Sequence, residues 1–105
     1  MSTPRIQEKD LLSTAEMELF NLSQSQSVMA QRSPAQLRDK ITRARGLRDR
    51  ARTLYRKQVG HTLATTSTKR GFTGLANERT RQKAEVLDGV VTRLSAAREQ
   101  LLEAA

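Results

Sequence analysis

One stretch in the middle of the chain combines a helical repeat of apolar residues with a high density of arginine. It runs from Leu37 to Lys57 and holds nine of the nineteen basic residues of this 105-residue chain. Apolar side chains recur there every three or four positions, the spacing of one face of an α-helix. They are Leu37, Ile41, Ala44, Leu47, Ala51, Leu54 and Tyr55. The stretch must therefore fold as a helix whose charges are neutralised within the fold or offered to an acidic partner.

The sequence contains two capping boxes, and each predicts the start of a helix. In the first, Ser33 can cap the free amides, Pro34 suits the first helical position, and Gln36 can return a hydrogen bond to Ser33. The second pairs Ser13 with Glu16 ahead of a shorter apolar repeat. We predict a helix over about 34–59, which Gly60 would end, and a shorter helix in the N-terminal third.

The C-terminal third carries a second apolar repeat, in which steps of three and four residues alternate as in a heptad. Its members include Ala84, Leu87, Val91, Leu94 and Leu101. This pattern predicts a helix over about 75–103, and no segment has the alternation of a β-strand. The predicted fold is all-α: an antiparallel, coiled-coil-like helical hairpin over 33–105 with a shorter N-terminal helix. Residues 1–32 would supply that helix and a partly flexible polar linker, forming either a three-helix bundle or a hairpin that dimerises.

Composition limits the chemistry. Cysteine is absent, so disulfides and thiolate metal sites are excluded. The first residues lack the apolar core of a signal peptide, and no apolar run approaches the roughly 20 residues that span a bilayer. We expect a soluble, cytoplasmic protein without membrane insertion, with export as an effector as the alternative.

The charge is concentrated in one place. Residues 35–58 carry nine basic and two acidic groups, a net +7 of the total +8. At about 100° per residue, these cations divide between the two flanks of the apolar stripe. One flank carries Arg38, Arg45, Arg52 and Arg56, which we expect to pair with an acidic flank of the last helix that includes Glu85, Asp88 and Glu99. The opposite flank carries Arg43, Arg50 and Lys57, and Arg48 lies within the stripe; we predict that these four bind a partner.

No residue pattern indicates catalysis. His61 is the only histidine and has no clustered acids or cysteines around it in the sequence. Residues 60–74 read as a long connection in which Lys69, Arg70 and Gly71 are candidates for contacting phosphate, although the spacing of a P-loop is missing and a solvated loop is the simpler interpretation. We expect no enzymatic activity, cofactor, metal or small-molecule substrate.

Two functions fit these observations. The first is a protein-interaction module that presents its basic helix to an acidic protein partner. The second is a nucleic-acid-binding protein that relies on phosphate contacts and has weak sequence specificity. The cations occupy two flanks instead of one face, and the aromatic residues that stack on bases are almost absent. These points favour the acidic protein partner.

Overall fold

The chain folds into helices throughout the part that the structure describes. The computed structural model describes residues 5–65 and 70–105, with side chains described for 5–60 and 77–105. Five helices and no strand occur in these ranges: α1 (Glu8–Leu11), α2 (Thr14–Ser23), α3 (Gln26–Ala30), α4 (Pro34–Thr65) and α5 (Arg70–Ala104). The all-α prediction is confirmed.

α2 and α4 begin where the sequence places their caps. The Ser13 amide donates to Oε1 of Glu16 at 2.8 Å, and the Glu16 amide donates to Oγ of Ser13 at 3.3 Å. At the start of α4, the amides and side chains of Ser33 and Gln36 make the same reciprocal pair, at 2.9 and 3.1 Å. Both predicted capping boxes are therefore present. Each supplies acceptors for amides that the first turn of a helix leaves without partners.

The two long helices pack against each other and run in opposite directions. Arg98 of α5 donates to the main-chain oxygen of Pro34 at 3.2 Å, whereas Asp88 accepts from Arg48 at 3.0 Å further along α4. The interface is apolar, and five of its side chains are fully buried: Leu37, Ala44, Leu87, Val90 and Leu94. The apolar stripes read from the sequence thus supply the faces that α4 and α5 bury against each other, except at Leu54, which stays 49% exposed.

The C-terminal end of α4 and the N-terminal end of α5 both extend further than predicted. α4 continues through Gly60 to Thr65, and α5 begins at Arg70 instead of near residue 75. Gly60 does not adopt the left-handed backbone conformation with which a glycine ends a helix, and within a helix one glycine costs only about 1 kcal/mol relative to alanine. Arg70 and Gly71 lie in the first turn of α5, which corrects the interpretation of 60–74 as one loop. Lys69 lies outside the described residues.

The N-terminal third packs along α5 as three short helices. Leu19 of α2 and Met29 of α3 join the core between α4 and α5, while Leu11 and Leu12 pack with Val86 and Leu87 in a second cluster. Residues 23–32, which their polar composition indicated to be a linker or a frayed helix end, contain α3, in which Met29 is only 2% exposed. Because most of this segment is polar, the sequence did not indicate that Met29 anchors it in the core.

Candidate functional site: the basic surface of α4

Asp88 of α5 is the centre of the ion pairs that join α4 to α5. Its Oδ1 accepts from Arg48 at 3.0 Å and from Arg52 at 3.2 Å, and Arg48 also contacts the neighbouring Asp49 at 3.1 Å. The Arg48 side chain is 18% exposed. Burial acts to lower the pKa of Arg48, but the hydrogen bonds that its guanidinium donates to Asp49 and Asp88 outweigh this effect and raise that pKa above the usual value. Arg48 is therefore half-buried and paired within the fold, and its assignment to the partner-binding set stays a prediction.

The rest of the predicted salt-bridge flank is not formed between the helices. Arg38 reaches only the adjacent Asp39, at 3.8 Å, and Arg45 and Arg56 are exposed without an ion pair to any described residue. On α5, Glu85 pairs with Arg81, four residues earlier in the same helix. Glu99 is exposed and has no ion pair among the described residues. Of the predicted flank, only Arg52 and Asp88 meet.

Pairing within α5 explains why Glu85 does not reach α4. Residues three and four apart are neighbours on a helix surface. Arg81 therefore reaches both Glu78 and Glu85 of its own helix, and its hydrogen bonds lower the pKa of Glu78. A helical wheel shows which flank a residue occupies, but it does not show whether that residue forms an ion pair with a neighbour on the same helix.

The opposite flank of α4 remains open. Arg43, Arg50 and Lys57 are all exposed, and none forms a hydrogen bond or ion pair with a described residue. They follow one another at intervals of seven residues, about 10.5 Å along the helix axis. These three residues form a row of unneutralised positive charge, which we call the basic row.

A groove lies beside the basic row, between α4, α5 and the N-terminal helices. It has a volume of about 430 Å³, and Arg50 forms part of its edge. Leu47, Ala51 and Leu54 of α4 line it together with Leu11 of α1. The Leu54 side chain is 49% exposed, more than any other large apolar side chain in the described part of the chain. Unneutralised cations thus border an apolar surface that the fold leaves partly uncovered.

One ion pair crosses the groove from α2 to α5. Glu16 is buried and accepts from Nζ of Lys83 at 2.9 Å, in addition to its capping bond with Ser13. Burial acts to raise the pKa of Glu16, but the amide of Ser13 and the charge of Lys83 together lower it below the ordinary value. The sequence indicated the cap of Glu16 but not its partner on α5, which is 67 residues away along the chain.

Arg93 is a second interhelical contact that sequence reasoning missed. Its Nε donates to Oγ of Ser23 at 3.2 Å, and its guanidinium carbon lies 5.9 Å from the centre of the Phe20 ring. Gly89, one turn earlier, leaves the space that the guanidinium occupies. A glycine four residues before an arginine, inside a strongly periodic helix, was the available signal.

No group of three or more histidine, cysteine or acidic side chains that could hold a metal ion occurs among the described residues. The His61 side chain lies outside them. Within the described ranges, no helix combines the length and apolar character required to cross a bilayer.

Comparison of the chain with protein-family models, with curated proteins and with solved structures finds no match.

Proposed function

We propose that this chain is a non-enzymatic interaction module in which the α4–α5 pair acts as a helical hairpin and presents the basic row to an acidic surface of another protein. The observation that carries the proposal is the contrast between the two flanks of α4. Arg52 and Arg48 are held by Asp88, whereas Arg43, Arg50 and Lys57 are exposed without a partner among the described residues.

The apolar surface beside the basic row favours a protein over nucleic acid as the partner. Phosphate contacts need cations but no apolar surface, whereas protein interfaces combine an apolar centre with a polar rim. Leu54 supplies the apolar part and Arg50 and Lys57 the rim. With the N-terminal helices covering the core of the hairpin, a monomer is the proposed working state, in the cytoplasm, and a homodimer is the alternative.

The second candidate function is nucleic-acid binding through phosphate contacts. It is favoured by Arg45 and Arg56, which are exposed on the other flank of α4 and also lack an ion pair to a described residue. A polyanion could contact both flanks, and its affinity would fall steeply with salt. If the partner binds only the basic row, substitution of Arg45 and Arg56 should not change the affinity.

The two functions are separated by a pair of matched charge reversals. One variant carries R43E, R50E and K57E; the control carries R38E, R45E and R56E, an equal change of charge on the opposite flank. Binding to poly-L-glutamate and to arbitrary duplex DNA is measured at about 0.05 M and about 0.5 M salt, because the higher salt screens exposed charges. Helicity by circular dichroism confirms that both variants are folded.

The proposal expects poly-L-glutamate binding to fall about tenfold or more in the basic-row variant and much less in the control. Equal losses in the two variants would show that binding follows net charge alone and would overturn the assignment of the basic row. Tight DNA binding that both variants weaken equally would instead establish the phosphate-led function. Absence of binding to either polymer at low salt would refute both functions.

A further inference from the structure

The groove beside the basic row lies where the N-terminal helices stop covering α4 and α5. α2 begins at Thr14, and Glu16 in its first turn lines the groove. Arg79, Thr80 and Lys83 of α5 also line it. The groove is therefore lined by residues of α4, of α5 and of the N-terminal helices.

The apolar wall of the groove has the periodicity of a helix interface. Leu47, Ala51 and Leu54 stand at positions i, i+4 and i+7, so they lie on one face over about 10 Å of α4. Ala51 is buried, Leu47 is half-buried and Leu54 is about half exposed. An amphipathic helix that docks in a groove presents anchors with the same spacing.

The charges at the rim of the groove favour a negatively charged occupant. Arg50, Arg79 and Lys83 surround the groove against one acid, Glu16, which gives three positive charges to one negative. Lys83 is neutralised by Glu16, and Arg79 donates to the main-chain oxygen of Asp10 and forms no ion pair with a described residue. On α4, Arg50 forms no ion pair with a described residue. Two cations thus remain to meet carboxylates.

A second copy of this chain fits the groove poorly. Each copy carries a net charge of +8, so two copies repel. Of the acids that a second copy brings on α5, Glu78 and Glu85 pair with Arg81 and Asp88 pairs with Arg48, whereas Glu99 is exposed without an ion pair to a described residue. The complementary occupant is a segment of a different, acidic protein.

We infer that this groove binds the apolar face of an acidic amphipathic helix from a partner protein, with Leu54 as the apolar contact and Arg50 and Arg79 as the contacts to carboxylates on its two sides. The inference rests on the proposed function for the acidic nature of the partner. It adds the shape and periodicity of the bound segment, which an extended charge contact would not require.

The test uses the full chain and two synthetic peptides of about 18 residues, long enough to form helix. Both contain the same numbers of Leu, Ala and Glu. In the first, Leu recurs at i, i+3, i+4 and i+7; in the second, the order is scrambled so that Leu is spread around the helix. Affinities are measured by fluorescence anisotropy for the natural protein, for Leu54→Ala and for Leu102→Ala. Leu102 is the matched control, since it is 44% exposed and distant in sequence from the groove.

The inference expects tighter binding of the amphipathic peptide than of the scrambled one. Leu54→Ala should weaken that binding about three- to tenfold, because docking would cover the exposed half of a leucine side chain. Leu102→Ala should leave it unchanged. Nuclear magnetic resonance shifts caused by the amphipathic peptide should centre on Leu54, Ala51 and Thr80.

Three results would overturn the inference in distinguishable ways. If both peptides bind equally, Leu54→Ala has no effect and the basic-row variant loses binding, the groove is not the site and the proposed function stands. If Leu54→Ala and Leu102→Ala weaken binding equally, the contact is not specific to the groove. If neither peptide binds the natural protein at low salt, the inference and the proposed function both fail.

Discussion

Replacement of Gly89 by alanine tests whether Arg93 stabilises the packing of α2 on α5. A Cβ atom added at Gly89 would lie 3.1 Å from one terminal nitrogen of Arg93, closer than ordinary van der Waals contact. The same guanidinium group hydrogen-bonds Ser23 and lies over the Phe20 ring. A methyl group at this position therefore disturbs the side chain that connects the two helices.

The expected size follows from opposing contributions. Alanine gains about 1 kcal/mol over glycine in a helix interior. Loss of the Ser23 hydrogen bond costs about 1 kcal/mol, and loss of the contact with the Phe20 ring costs about 0.5 kcal/mol. Gly89→Ala should therefore leave the free energy of unfolding unchanged or lower it slightly. Gly46 is the matched control, since it is exposed in α4 and nothing lies within 4 Å of an added Cβ; Gly46→Ala should raise the free energy of unfolding by about 1 kcal/mol.

Urea unfolding followed by circular dichroism at neutral pH measures both variants. In an Arg93→Ala background, Gly89→Ala should recover the full gain of about 1 kcal/mol, because the crowded group is gone. In thermal unfolding, a difference of 1 kcal/mol appears as roughly 4–8 °C for a domain of this size. If Gly89→Ala stabilises the natural protein as much as Gly46→Ala does, the Arg93 contacts contribute nothing and the reasoning is refuted.

Three further substitutions test the contacts that join the helices. Glu16→Gln keeps the capping acceptor but removes the charge that pairs with Lys83; because the pKa of Glu16 is lowered in the fold, its stabilisation is present above about pH 4.5 and is lost as the pH falls through the lowered value. Urea unfolding should thus show the variant less stable at pH 7 and equal to the natural protein in strong acid, and a constant difference would contradict this. Met29→Ala should cost about 2–5 kcal/mol in the same assay, and a cost below about 1 kcal/mol would mean that α3 does not anchor the N-terminal helices. Asp88→Asn should cost about 0.5–1 kcal/mol, a difference that shrinks at high salt, since it removes the negative charge that pairs with Arg48 and Arg52; Glu99→Gln, at a residue without an ion pair among the described residues, is its control.

The helix starts and the buried faces were predictable because they depend on neighbours in the sequence. A capping box needs two residues three positions apart, and an apolar stripe needs a repeat of three and four. Both are local, so Ser13, Ser33 and the stripes of α4 and α5 appeared in the structure as predicted. The end of α4 was not predictable in this way, because Gly60 tolerates a helix as well as a turn.

The tertiary structure decided which charged side chains form ion pairs and which remain unpaired. The sequence alone determined that this chain is helical, that its positive charge is concentrated in α4, and that this charge lies on both sides of an apolar stripe. Only the packing of α5 decided that Asp88 takes Arg48 and Arg52, and that Arg50 is left free at the edge of an apolar groove. The physical reason is that neutralisation requires a carboxylate within a few ångströms, and such distances are set by the register of two helices far apart in the sequence.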